Sequence, residues 1–153
     1  MSLSTVRTEI KTILLTISNV GQVHDYKRYT HSWDDYKDLF VENSKVNTWE
    51  IVRESFESFV EASNNVNRTR HNFTIRGFYS VQDKTASEKT FQDIVEDIRV
   101  TFRNKPKLNN KAELVFFSPD RPFSGVFRYD YLGAVLCHIV EINLTIQEYE
   151  TFT

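Results

Sequence analysis

The side chains that carry most protein chemistry are sparse here and poorly placed to cooperate. Four histidines, His24, His31, His71 and His138, are scattered through 153 residues. None shows the His-x-x-x-His or Cys-x-x-Cys spacing that brings metal ligands together, so no metal site is expected. Cys137 directly precedes His138, which on paper sets a thiol beside a base. The surrounding residues read as a strand, however, and neighbours in a strand point to opposite faces, which excludes a nucleophile–base pair. His138 lies among apolar residues and reads as a satisfied core or interface histidine. Asp34, Asp35 and Asp38, and again Asp93, Glu96 and Asp97, can set two carboxylates on one helical face. Acid–base chemistry uses such pairs, but a solvated acidic face explains both groups. The four glycines are too widely spaced for a phosphate-binding loop or a dinucleotide fingerprint. Arg103, Lys105, Lys107 and Lys111 follow a predicted helix, where cations meet the negative end of its dipole. The alternative, a phosphate-contacting patch, lacks interleaved aromatic side chains for base stacking. No catalytic residue, no cofactor and no enzyme activity is expected.

The bulk properties agree with a folded protein. Hydrophobic content of 40%, with 14% aromatic, is enough to offset chain entropy and argues against disorder. A formal charge of −2 and a pI near 6.1 give no overall basic field for nucleic acid or an anionic membrane. One cysteine allows no internal disulfide, and a reducing compartment is the simplest setting. There is no leader-like basic and apolar start and no apolar run long enough to span a bilayer, so a soluble cytoplasmic product is expected. Asn67-Arg68-Thr69 fits a glycosylation sequon, which without a leader reads as chance.

The elements that would position any site centre on residues 75–102, a strand, a polar turn and an amphipathic helix. Phe73, Ile75, Tyr79 and Val81 share one strand face, with Gly77 marking a bulge or the close approach of a packed helix. Thr85-Ala86-Ser87-Glu88 has the form of a capping box. The helix behind it aligns Phe91, Ile94, Val95, Ile98 and Phe102, and Pro106 follows its end. Residues 3–18 predict a second helix, with Val6, Ile10, Ile13, Leu14 and Ile17 on one face and Gly21 as its left-handed stop. Short strands are expected at 22–29, along an edge, at 47–54, with Trp49 and Ile51 inward and Glu50 outward, and at 113–117. Residues 31–40 have helix-compatible spacing. Residues 126–131 alternate as a ribbon or a protruding arm, and the clearest strand runs from Leu136 to Ile146, followed by a tail from Gln147 expected to fray. Together these predict an α+β domain over 1–153, with a mixed or antiparallel sheet of about four to five strands and two main helices on one face. Inserted loops are expected at 30–46 and 55–70, where Phe56, Phe59 and Val60 fit a helical turn within polar sequence.

IRGFYSVQDKTASEKTFQDIVEDIRVTF and the closing LGAVLCHIVEINLTIQE resemble the tail terminator family of long-tailed bacteriophages, or a prophage relative. LSTVRTEIKTIL and NTWEI add weaker support, while Trp33–Val46 and Ser55–Arg70 show no alignable pattern. The resemblance implies a structural protein with no catalytic residues. Such a protein forms a ring, hexameric in the well-known cases, that caps the tail tube, stops its growth and joins the head connector. The implied partners are the chain itself, the tail-tube protein and a connector or stopper, with a lumen that can pass DNA without sequence-specific binding, and no membrane. The implied location is the host cytoplasm during assembly and then the neck of the virion. Another neck or tail-completion component is the alternative. A small enzyme or regulatory binding domain is the alternative of a different class. Aromatic and Arg side chains on irregular segments are the usual anchors of protein contacts. On that ground the expected interface residues are Trp33, Tyr36, Phe40, Phe123, Phe127, Arg128, Tyr129 and Tyr131, each with internal packing as its alternative.

Overall fold

A computed structural model describes residues 3–28, 33–42, 45–61, 65–109, 112–114, 119 and 122–151. It is an α+β fold built on three long antiparallel strands, β3 (Lys45–Glu61), β4 (Val66–Ser80) and β7 (Val135–Thr151). β1 (Gln22–His24) runs parallel to β3 along its outer edge, and β2 (Val41–Glu42) continues that edge in an antiparallel pair. On the far side, β5 (Glu113–Leu114) and β6 (Ser124–Leu132) both pair antiparallel with β7, as two pieces of one edge strand. The seven strands among the described residues outnumber the expected four to five, and three of them, β1, β2 and β5, are only two or three residues long.

Helices α1 (Leu3–Leu15) and α3 (Ser87–Arg103) pack on one face of this sheet. Val6, Ile10, Ile13 and Leu14 of α1, and Phe91, Ile94, Ile98 and Phe102 of α3, meet a strand face of Trp49, Ile51, Phe73, Ile75, Val140, Ile142, Leu144 and Ile146. The three-and-four spacing in the helices and the two-residue spacing in the strands thus bury matching stripes. On the opposite face, α2 (Trp33–Phe40) contributes Phe40 to a smaller cluster with Val46, Phe78, Cys137 and Ile139. Cys137 and His138 accordingly face opposite layers, and burial raises the Cys137 thiol pKa to about 11.

Several expectations are corrected. Gly77 is packed against the Trp49 indole rather than a helix, since a Cβ there would lie 2.2 Å from the ring. Gly21 does not close α1, which ends at Leu15. A Cβ at Gly21 would lie 2.1 Å from the Asn47 carbonyl oxygen, and its N–H donates to Asn47 Oδ1 at 3.2 Å. The capping box is absent. Thr85 belongs to a 3-10 turn, Ala86 takes the left-handed conformation before α3, and Ser87 Oγ accepts the Gln82 N–H at 2.8 Å. Glu50 does point away from Trp49 and Ile51, but it is buried there, where it accepts the Arg28 N–H and lies 3.7 Å from Arg76. The strand expected at 22–29 stops at His24, while the 113–117 strand is described only at Glu113–Leu114. Residues 30–46 contain α2 and β2 rather than a simple loop.

The largest correction concerns 55–70. Ser55–Glu61 and Val66–Arg70 are continuous strand, paired residue for residue from Ser55↔Asn72 to Glu61↔Val66. β7 follows them to Thr151 instead of fraying at Gln147. A bulge between Arg53 and Ser55 shifts the register where this ribbon begins.

Candidate assembly surfaces

β6 is the most exposed regular element. Its residues from Ser124 to Tyr131 are all exposed, on both faces. Val126, Phe127, Tyr129 and Tyr131 are among the exposed large hydrophobics, with Tyr129 at 74%. β7 occupies one edge of β6, and the other has no strand partner among the described residues. Such an edge presents unpaired backbone N–H and C=O groups to whatever comes alongside.

A groove follows β6 where it passes α3. One hollow, of about 300 Å³, is lined by Phe91, Phe127, Tyr129 and His138 with Glu88 at its rim. A second, of about 370 Å³, lies over Val95, Phe123, Gly125 and Ile142, and Phe127 borders both. The wall is ordered: Phe127 meets Phe91 edge-on at 6.1 Å, and His138 stacks on Phe91 at 5.9 Å. His138 Nε2 is 2.9 Å from Ser87 Oγ, so this histidine is held by the first residue of α3.

The ribbon is the second unusual surface. On one side it carries Phe56 and Val60, exposed at 61% and 57%, and on the other Phe59 and Tyr149. Arg53 stacks on Phe56 at 4.3 Å, and Arg68 lies over Phe59 and Tyr149 at 5.5 and 5.2 Å. Arg68 also pairs with Glu61, and Arg70 Nε donates to Gln147 Oε1 at 2.9 Å. At the ribbon's root, His71 Nε2 and Glu148 Oε2 are 2.8 Å apart and nearly fully buried. Burial, and then the nearby Arg7 charge, holds the Arg53 guanidinium below its ordinary pKa, with Glu148 acting the other way.

The expected interface residues divide into three sets. Phe127, Arg128, Tyr129 and Tyr131 come together on the exposed strand β6, and Phe123 lies half-buried at its approach, against Phe102. Phe40 is 2% exposed and belongs to the small core, so it is not a surface anchor. The side chains of Trp33 and Tyr36 lie outside what is described, as does Lys111. Sequence reasoning missed Phe56, Phe59, Val60 and Tyr149. Phe56, Phe59 and Val60 have no two-residue period, and the polar residues among and after them, Glu57, Ser58 and Glu61, masked the strand; Tyr149 lies in the segment of β7 expected to fray.

Among the described residues, no group of three or more His, Cys, Asp or Glu side chains is placed to hold a metal ion. No described helix is long and apolar enough to cross a membrane. Comparison of the chain with protein-family models and with curated proteins returns no match.

Proposed function

We propose that this chain is a structural assembly protein, a tail terminator that forms a ring on the last layer of a phage tail tube and offers its far side to the head connector. The observation that carries the reading is β6, an exposed nine-residue edge strand with Phe127, Tyr129 and Tyr131 on one face and Arg128 on the other. Edges of this kind invite strand addition unless something covers them. The sequence resemblance supplies the class of assembly, and the two helices on one face of a largely antiparallel sheet match the fold it implies. On this reading the chain works in the host cytoplasm during assembly and remains in the virion neck. Its ring leaves a lumen for DNA and makes no sequence-specific contact with it.

The test mixes the purified chain with tail tubes assembled from a phage tail-tube protein, viewed by electron microscopy. Rings at one end of the tubes, with tube growth stopped, are expected. Rings that bind the connector and ignore tube ends would make it another neck component. A chain that stays monomeric and touches neither would overturn the assembly reading.

A further inference from the structure

The two longest stretches of strand edge without a strand partner among the described residues are the outer edge of β6 and the outer edge of β3 beyond Glu50, where β1 stops. We propose that they are two halves of one contact, in which residues 56–61 of one copy pair antiparallel with residues 124–129 of the next, Phe56 opposite Tyr129. This inference rests on the ring reading above and names the contact that would close the ring.

Direction comes first. β3 and β7 run the same way, because each is antiparallel to β4, and β6 runs opposite to β7. When one copy is placed beside another with its helices on the same side, β3 therefore meets β6 antiparallel. Faces come second. Phe56 and Val60 lie on the helix-covered side, level with His71 and Asn67, and so do Phe127 and Tyr129, level with Val140 and His138. Phe56 and Val60 are four residues apart, about 13 Å at strand rise. Tyr129 and Gly125 have the same separation, and each borders one of the two hollows. Phe56 thus comes beside the aromatic hollow of Phe91 and His138, and Val60 beside the one over Val95 and Ile142. Arg53, stacked on Phe56, approaches Glu88 at the rim of the first.

Register is the most discriminating point. With Phe56 opposite Tyr129, Glu57 faces Arg128, Phe59 faces Val126 and Glu61 faces Ser124. Opposite charges and apolar pairs directly across strands are favourable, and like charges are not. A two-residue slip puts Glu57 opposite Asp130 in one direction and opposite Val126 in the other. A one-residue slip turns every side chain to the wrong face. Within one copy Arg128 lies 3.7 Å from Asp130 and 3.6 Å from Glu141, beyond good hydrogen-bond length, so it can turn to an incoming carboxylate. The paired segments are also staggered. Ser58 is level with Glu148 and Phe127 with Val140, eight residues apart along β7. Strands joined in this way run obliquely to the direction in which copies repeat, as strands do in closed barrels.

The experiment introduces Glu61→Cys and Ser124→Cys into one full-length chain, leaving the other contact residues intact, and oxidises it mildly with oxidised glutathione. The two positions are on opposite edges of a single copy, so any disulfide between them joins copies. Disulfide-linked multimers are expected to form about ten-fold faster than with a control pair, Glu61→Cys and Leu15→Cys. In the Glu61→Cys/Ser124→Cys background, Glu57→Arg or Arg128→Glu should each slow the linkage, and both together should restore it. Linkage no faster than the control, or failure of the double reversal to restore it, overturns the contact. If Glu57→Arg and Arg128→Glu chains still cap tubes as the unmodified chain does, the contact is wrong and the ring stands. If the unmodified chain neither links nor caps tubes, the ring reading falls with it.

Discussion

The strands β3, β4 and β7 are built in two different ways along their length. At Trp49 and Ile51, Phe73 and Ile75, and from Val140 to Ile146 they carry large apolar side chains under α1 and α3, and these are almost fully buried. Beyond the Arg53/Ser55 bulge the same three strands continue past the main core. There they are held by their ladders, by Arg68 and Arg70 over aromatic rings and by the buried His71–Glu148 pair. The first half stabilises the monomer through burial. The second presents Phe56, Phe59, Val60 and Tyr149 to solvent, which adds little to folding and suits a surface waiting for a partner.

Truncation in the covered half gives the largest expected effect. Phe102 is fully buried between α3 and the sheet, so Phe102→Ala should cost about 3–5 kcal/mol in denaturant unfolding. A loss below about 1 kcal/mol would mean that α3 contributes little to the core.

Glu50 sharpens the comparison through pH. Burial raises its pKa above 4.5 despite the Arg28 N–H and the Arg76 charge, so the folded state holds this proton more tightly than the unfolded state. Its contribution is therefore fully present below pH 4.5 and is lost as pH rises through the raised folded value. Glu50→Gln should remove that decline from the pH–stability curve, as measured by thermal unfolding between pH 4 and 7. An unchanged curve would show that the Arg76 and Arg28 contacts fully compensate its burial.

The smallest effect belongs to the ribbon. Phe56→Ser should change monomer stability by less than about 1 kcal/mol, because it loses only an exposed stacking contact with Arg53. A loss comparable to that of Phe102→Ala would put the ribbon in the core and remove it as a free surface.

The same contrast explains how much of the molecule was legible in its sequence. α1, α3 and the first part of β7 were readable because one-sided burial imposes a period on the chain, as with Phe91, Ile94, Ile98 and Phe102. The ribbon obeys no such rule. Glu57, Ser58 and Glu61 interrupt Phe56, Phe59 and Val60 without a two-residue period, on a strand segment with no buried face, and the bulge shifts the phase just before it. Phe40 misled in the opposite sense, since an aromatic residue in a short, acidic helix looks like a surface anchor until Phe78 and Cys137 are seen beneath it. Of the proposed assembly surface, the β6 half was readable as an aromatic-rich segment. The β3 half needed the fold, because only the strand pairing shows that its edge is bare.

Hydrogen exchange of the backbone amides, followed from dilute monomer to a concentrated sample capping tail tubes, tests the central claim most directly. The amides of Phe73–Tyr79 sit mid-sheet and should be protected throughout. Those of residues 56–61 and 124–129 that point away from their own sheet should exchange rapidly in the monomer and become protected together on assembly. Assembly that leaves both segments exchanging as fast as in the monomer would contradict the account.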